Sequence, residues 1–164
     1  MNRIVLICFL FIVSLTACKK DKYRGLDNTG PDVPITVSDL YGIFTYPVVA
    51  TSLSGSGAIT IKLNIPASTG RTIKEITRVA LGTSGANYAV VQRTTGLYNT
   101  APIPGSGTSV TFTTSLTEYT AKTGLTVTTG GTATSFLARY FYFLVTLDNG
   151  EQVISEAVRV YVNA

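Results

Sequence analysis

Histidine and tryptophan are absent from this 164-residue chain, and cysteine occurs only at Cys8 and Cys18. Without histidine the chain lacks the commonest general base, the commonest metal ligand and the Ser-His-Asp catalytic arrangement. Because both cysteines lie in the first 18 residues, the rest of the chain can hold no disulfide, thiolate metal site or cysteine nucleophile. Any enzyme built on this sequence would have to use carboxylates, lysine or tyrosine.

Acidic residues are few and poorly placed for catalysis. Glycosidases need two carboxylates that face each other across a cleft. The closest candidate pair, Asp148 and Glu151, flanks a turn, where polar side chains are expected in any case. Asp27, Asn28 and Asp32 have a spacing that fits no known calcium-binding loop. We therefore expect a protein that is not an enzyme and that has no catalytic residues, no metal and no cofactor.

Charged residues make up only 13% of the chain, and the formal net charge is +4. Apart from a basic group at residues 19–24, the lysines and arginines are scattered singly along the sequence. A nucleic-acid-binding domain needs basic residues clustered on one face or along one stripe. Nucleic acid is therefore not an expected partner.

The first residues have the pattern of an export signal. A basic Arg3 precedes an apolar run at residues 4–13, and small residues then lead to Cys18. The run is too short to cross a bilayer, which takes about 20 residues. The sequence thus predicts a cleaved signal at residues 1–17, a polar tether at residues 18–36 and a single domain at residues 37–164.

Four consecutive residues, Leu15, Thr16, Ala17 and Cys18, resemble the lipobox of bacterial lipoproteins. The resemblance implies that a diacylglycerol is attached to the Cys18 thiol, that a peptidase cuts before it, and that the lipid holds the protein on the membrane. The alternative is an ordinary secretory signal in which Cys18 has no special role. Lys19 differs from the aspartate that retains some lipoproteins in the inner membrane. We therefore expect an outer-membrane location, facing either the periplasm or the cell surface.

Threonine, valine and isoleucine dominate the predicted domain, and no segment keeps a 3.6-residue apolar period for three turns. This pattern predicts an all-β fold. The Gly-Ser-Gly sequences at residues 55–57 and 105–107 are predicted as turns, because neither has the lysine of a phosphate-binding loop. The predicted strands are residues 43–50, 58–65, 76–81, 88–92, 109–116 and 125–128, followed by a closing hairpin at residues 136–147 and 152–162.

The closing hairpin has the strongest local signal, because Asn149 and Gly150 between apolar runs indicate a two-residue turn. The pairing that this turn imposes places Val145 opposite Ile154, Phe141 opposite Val158, and Leu137 opposite Val162. It also predicts a bulge near residues 155–156.

Two features carry a further resemblance: Cys18-Lys19-Lys20-Asp21 after the lipobox, and the closing hairpin with its Leu147-Asp148-Asn149-Gly150 turn. Together they resemble Bacteroidetes envelope lipoproteins with an immunoglobulin-like or fibronectin type III-like domain. The resemblance implies a single β-sandwich of about seven strands and a membrane-tethered module near glycan-uptake machinery. It transfers no functional residue to this chain.

Tyrosines are the best candidates for ligand binding, because a sugar-stacking platform without tryptophan would have to use them. The alternation along the hairpin places Tyr140, Tyr142, Arg159 and Tyr161 on one face. Tyr98 lies in the longest irregular segment, residues 94–109, and is expected to be exposed there. The alternatives are a routine cross-strand pair of tyrosine and arginine, and a buried tyrosine that anchors a corner of the sandwich.

These expectations favour a lipid-anchored binding module for a glycan or another envelope component. The alternative is a structural or assembly module that docks to a partner envelope protein.

Overall fold

The structure is a computed structural model that describes residues 32–127 and 136–164. Outside the described residues lie the predicted signal, the lipobox (Leu15, Thr16, Ala17 and Cys18), the tether up to residue 31, and residue 128, the last residue of the strand predicted at 125–128. Within these two ranges, no helix has the length and apolar character needed to cross a membrane.

Strands account for most of the regular structure in the described residues. The strands are β1 (Thr36–Val37), β2 (Val48–Ser52), β3 (Ala58–Asn64), β4 (Ile73–Gly82), β5 (Ile103–Pro104), β6 (Ser109–Ser115), β7 (Tyr140–Leu147), β8 (Gln152–Ile154) and β9 (Arg159–Asn163). The helical elements are a 3-10 turn at Ala67–Thr69 and two α-helices, α1 (Ala89–Gln92) and α2 (Leu116–Thr123). The all-β prediction is confirmed at this level.

The described strands are arranged in three sheets. In the first, β3 lies between β1 and β6 and is antiparallel to both. The second is antiparallel and has four strands in the order β5-β4-β7-β8. The third pairs β2 with β9 in parallel, so a strand near the start of the domain runs beside the last strand.

The main hydrophobic core is formed by apolar side chains that alternate along the strands. In β3, Ile59, Ile61 and Leu63 are fully buried, while the polar residues between them face outward. Phe141 and Phe143 of β7 belong to the same core cluster, so the sheet with β3 and the sheet with β7 bury their apolar faces together. Removing this apolar surface from water is the main stabilising contribution to the fold.

Strand β7 is buried on both faces. Its odd-numbered residues enter the main core, whereas Tyr142 and Leu144 belong to a second, smaller cluster with Ala80, Val91 and Ala157. Val91 lies in α1, which packs on the outer face of β4 and β7. The short helix therefore covers a sheet face that would otherwise meet solvent.

The closing hairpin forms, but its turn has three residues rather than the predicted two. The Leu147 N–H donates to the Glu151 carbonyl, which leaves residues 148–150 as the loop. Gly150 takes a φ of 84°, a left-handed conformation that commonly ends a three-residue hairpin loop and suits glycine.

This longer turn changes the strand register next to it. Of the three predicted pairs, Phe141 with Val158 is confirmed. Val145 lies opposite Val153 instead of Ile154. The Leu137 N–H donates to the Val160 carbonyl, so Leu137 does not face Val162. Between Ile154 and Val158 the second strand holds one more residue than its partner. The bulge predicted near residues 155–156 is therefore present, and it restores the pairing that the turn had shifted.

Three other predicted strands differ from the structure. Strand β2 begins only at Val48, because residues 43–47 form an irregular segment that ends at Pro47. Residues 89–92 are helical rather than extended, and residues 125–127 belong to no strand. The first two differences determine where the candidate ligand residues lie.

Helix α2 was missed, although its sequence carries a start signal. The Ser115 side chain caps the helix by accepting a hydrogen bond from the Glu118 N–H at 3.1 Å. Serine followed three positions later by glutamate is the sequence pattern of a capping box. Gly124 ends the helix in a left-handed conformation with a φ of 68°.

The packed part of the chain includes residues that the sequence assigned to the tether. Val33 is 5% exposed and belongs to the main core, and Thr36 pairs with Asn64 of β3. The last residues before the predicted domain boundary therefore contribute to the sheet and core.

The turn at Gly105 gives a test of this architecture. A Cβ at Gly105 would collide with the Ile73 carbonyl oxygen, a backbone atom that cannot move without disturbing β4. We expect Gly105→Ala to lower the free energy of unfolding by about 1–3 kcal/mol. Gly55→Ala, whose new Cβ would make only ordinary contacts, is the control and should have a much smaller effect. Equal urea midpoints for the two variants would contradict the packing at Gly105.

Candidate functional site

Residues 38–47 lie beside the start of β9 because β2 and β9 pair in parallel. Val48, the first residue of β2, pairs with Arg159, the first residue of β9. The Arg159 N–H donates to the Pro47 carbonyl at 2.9 Å, and the Tyr41 N–H donates to the Val48 carbonyl at 2.7 Å. Backbone hydrogen bonds thus hold this segment against the strand that carries Arg159.

The Arg159 guanidinium lies against two aromatic rings. Its Cζ is 4.1 Å from the ring centroid of Phe136 and 4.8 Å from that of Tyr140. A cation within about 6 Å of a ring centroid is attracted to the negative face of the ring. The two rings therefore stabilise the charge and fix the position of this side chain.

Further rings pack around this pair. The Tyr46 ring meets Tyr140 edge-on at a centroid distance of 5.6 Å, and Phe44 meets Phe136 in the same way at 5.6 Å. The Tyr161 ring lies edge-on to Phe136 at 5.3 Å. The Tyr41 ring stacks on Tyr161. We call this set the aromatic cluster; its members are Tyr41, Phe44, Tyr46, Phe136, Tyr140 and Tyr161.

A cavity of about 260 Å³ opens within the aromatic cluster. Its lining residues are Phe44, Thr45, Tyr46, Val48, Phe136, Tyr140 and Arg159. A second cavity of about 300 Å³ shares the segment from Phe44 to Val48 and is also lined by Glu156. Phe44 is 49% exposed, so its ring is accessible to a ligand.

Arg159 is poorly compensated by neighbouring polar groups. Its Nε is buried from solvent and has no hydrogen-bond partner among the described residues. The ion pairs found in the two described ranges involve Arg71 with Asp148 and Lys122 with Glu118, and neither includes Arg159. The cavity is thus lined by a positive charge whose Nε donor has no acceptor within residues 32–127 and 136–164.

The structure brings three of the predicted ligand residues into this site. Tyr140 and Arg159 line the cavity, and Tyr161 packs against Phe136 at its edge. The alternation of side chains along the hairpin predicted that these three residues share a face, and their role in ligand binding stays a prediction.

Tyr98 does not belong to the site, and its predicted exposure is wrong. It is 4% exposed, and its ring packs edge-on against Phe112 and Phe141. Its hydroxyl is hydrogen-bonded to Thr114 Oγ1 at 2.7 Å, and its backbone N–H donates to the Val79 carbonyl. Because these contacts belong to the main core, a Tyr98→Ala variant would test the fold and not ligand binding.

Tyr142 is also buried rather than available to a ligand, although it shares a strand face with Tyr140. Its hydroxyl donates to the Ser84 carbonyl and accepts a hydrogen bond from the Asn87 N–H at 3.0 Å. Segment 84–87 and α1 cover this part of the face. Of the alternatives considered from the sequence, the buried anchor describes Tyr142.

Four residues of the aromatic cluster were missed from the sequence: Tyr41, Phe44, Tyr46 and Phe136. Two of them, Phe44 and Tyr46, lie in the segment 43–50 that was predicted as a strand. The available signal was the concentration of rings at residues 41–46 just before Pro47. It gave no indication that this segment lies beside the last strand.

The groups at the cavity are suited to contact with a ligand. The described residues contain no group of three or more His, Cys, Asp or Glu side chains that could hold a metal ion. The cavity offers ring faces, one threonine hydroxyl and the Arg159 donors. Such a lining, mostly apolar with few polar groups, is typical of ligand pockets.

A third cavity, of about 520 Å³, lies beside α2. The described residues that line it are uncharged: Leu53, Leu116, Thr117, Thr120, Ala121, Thr126 and Val127. Because none of these residues carries a charge that would orient a ligand, the aromatic cluster is the better candidate site.

The buried tyrosines can be tested by alkaline titration. Burial raises the pKa of Tyr98, Tyr119 and Tyr142 above the ordinary value of about 10. Because these pKa values are raised in the folded state, the associated stability is intact below pH of about 10 and is lost as the pH rises further. Tyrosinate absorbance should therefore show a late-ionising fraction, and Tyr98→Phe and Tyr142→Phe should each reduce it.

Denaturant provides the control for this titration, since unfolding exposes all three hydroxyls and should abolish the late fraction. If Tyr98→Phe or Tyr142→Phe left the late fraction unchanged, the corresponding hydroxyl would be accessible in the folded protein, and its assignment to the interior would be wrong.

No protein-family model, no curated protein and no solved structure matches this chain.

Proposed function

We propose that this protein is a non-enzymatic, lipid-anchored envelope protein that binds glycans through the aromatic cluster. The observation that carries the proposal is the Arg159 guanidinium held against Phe136 and Tyr140 at the wall of the cavity. Ring faces and an arginine with unused donors complement a sugar, which has C–H faces and oxygen acceptors. The partly exposed Phe44 gives such a ligand access to the site.

The architecture supports a role as a binding module. Two sheets bury their apolar faces together, and the parallel pair of β2 and β9 joins the ends of the domain. We propose that this arrangement is an immunoglobulin-like or fibronectin type III-like sandwich of the kind carried by Bacteroidetes envelope lipoproteins. In such a scaffold, segments between strands supply the binding surface while the core fixes their position. The segment at residues 38–47 has this role here.

Ligand binding is tested most directly at Phe44, because its half-exposed ring can be removed at little cost to the fold. We expect Phe44→Ala to weaken glycan affinity about tenfold, equivalent to about 1.4 kcal/mol. Leu53→Ala is the matched control, since Leu53 has a similar exposure of 42% but lies outside the aromatic cluster. The measurement is a glycan-array screen with the full chain, followed by calorimetric titration of the glycans retained.

If both variants bound as tightly as the unchanged protein, the aromatic cluster would not be the glycan site. If no glycan were retained by the unchanged protein, glycan binding itself would be rejected.

A specific observation favours the alternative, an assembly module that docks to a partner envelope protein. Leu40, Ile43 and Phe44 are 53%, 101% and 49% exposed, which places several large apolar side chains in water within one short segment. Contiguous exposed apolar surface often marks a protein interface. Ile43→Ser separates the two functions: it should disrupt docking, but it leaves the rings and Arg159 in place for a glycan.

The membrane anchor is proposed at Cys18, in the outer membrane, and it has its own test. Cys18→Ser should abolish incorporation of labelled palmitate and release the protein from the outer-membrane fraction, because the acceptor thiol is lost. Cys8→Ser is the control and should retain the label, since Cys8 lies within the predicted signal.

Retention of the label in Cys18→Ser would contradict lipidation at this residue. Protease treatment of intact cells, with a periplasmic marker, then distinguishes a surface-exposed domain from one that faces the periplasm.

A further inference from the structure

The two rings beside Arg159 attract its charge but offer no oxygen or nitrogen acceptor to its guanidinium. A cation–π contact is an attraction to the ring face, whereas each guanidinium N–H donor is satisfied by an acceptor atom. Contact with Phe136 and Tyr140 therefore does not satisfy the donors. The buried Nε has no acceptor within the described part of the chain, and a buried donor without a partner is costly.

The acceptor that best fits this donor arrangement is a carboxylate. Arginine presents a planar fork of donors that matches the two oxygens of a carboxylate, and charge-assisted hydrogen bonds are stronger than neutral ones. The described residues that line the two adjoining cavities include a single cation, Arg159. One positive charge suits a singly charged carboxylate better than a phosphate, which carries more charge at neutral pH.

Glu156 gives the site a polarity. It lines the adjoining cavity together with the segment from Phe44 to Val48. Repulsion from Glu156 directs an anionic group toward Arg159, while the ring faces of Phe44 and Tyr46 remain for the apolar face of a sugar.

The size of the cavity limits how much of a glycan can enter. Its volume of about 260 Å³ lies below the range of roughly 300–1,000 Å³ that is typical for drug-sized ligands. A single ring at the end of a chain fits this limit better than the interior of an extended glycan.

We propose that the cavity binds a terminal acidic sugar of the uronic acid type, with its carboxylate on Arg159 and its ring among Phe44, Tyr46 and Tyr140. This inference rests on the proposed function, since it names the class of glycan that the aromatic cluster takes.

The test compares three oligosaccharides that differ only at the terminal residue: glucuronic acid, the methyl ester of glucuronic acid, and glucose. Calorimetric titration of the full chain should give an affinity for the acid at least tenfold higher than for the other two. The ester removes the charge from the ligand without any change to the protein, so the comparison does not depend on whether a variant folds.

Arg159→Gln provides the complementary change in the protein. It should abolish the preference for the acid, because the charge that pairs with the carboxylate is lost, so the ratio of the affinities for the acid and for the glucose-terminated oligosaccharide should fall to about one. Arg159→Lys keeps the charge but loses the planar fork, so it should recover only part of the preference for the acid. Glu156→Gln, the control, should bind the acid at least as tightly as the unchanged protein.

Similar affinities for the acid, its ester and the glucose-terminated chain would overturn this inference and leave glycan binding in place. Binding of inorganic phosphate as tight as that of the acid would also overturn it, in favour of a general anion site. If none of the three oligosaccharides bound but other glycans did, the acidic sugar would be rejected and the proposed function kept. Failure of all glycans would reject both.

Discussion

The parallel pairing of β2 with β9 is the constraint on which the candidate site depends. It aligns Val48 with Arg159 and continues through five residue pairs to Ser52 and Asn163. Parallel partners run in the same direction, so the residues that precede β2 must lie next to the start of β9. The rings at residues 41–46 reach Arg159 for this reason. Without this pairing, the two halves of the aromatic cluster would belong to separate parts of the domain.

Burial on both faces of β7 determines which of its side chains can contact a ligand. Tyr140 and Tyr142 point to the same side of the strand, yet only Tyr140 lines the cavity. The difference arises because α1 and residues 84–87 cover the face at Tyr142. The Tyr142 hydroxyl donates to the Ser84 carbonyl and accepts from the Asn87 N–H. An amphipathic side chain on a predicted outer face is thus a ligand candidate only where no other element packs over it.

Local sequence patterns predicted the parts of the structure that depend on near neighbours. Alternation identified β3 and the face of the hairpin with Tyr140, Arg159 and Tyr161, because the side-chain period of a strand is a local property. It misassigned residues 89–92, whose β-branched Val90 and Val91 favour a strand, because packing on β7 overrides that propensity. The missed members of the aromatic cluster depend on pairing between distant parts of the chain, which no local pattern encodes.

Arg159 is difficult to explain as a device for stability alone. Contact with two rings contributes roughly 0.5–2 kcal/mol, whereas a buried donor without a partner costs roughly 1–3 kcal/mol. These contributions are of similar size and opposite sign, so the net stabilisation is small. An apolar side chain of similar length would fill the same space without the unsatisfied Nε. This small net contribution accords with the role proposed for Arg159 at the wall of the cavity, where the terminal nitrogens of its guanidinium would meet a ligand.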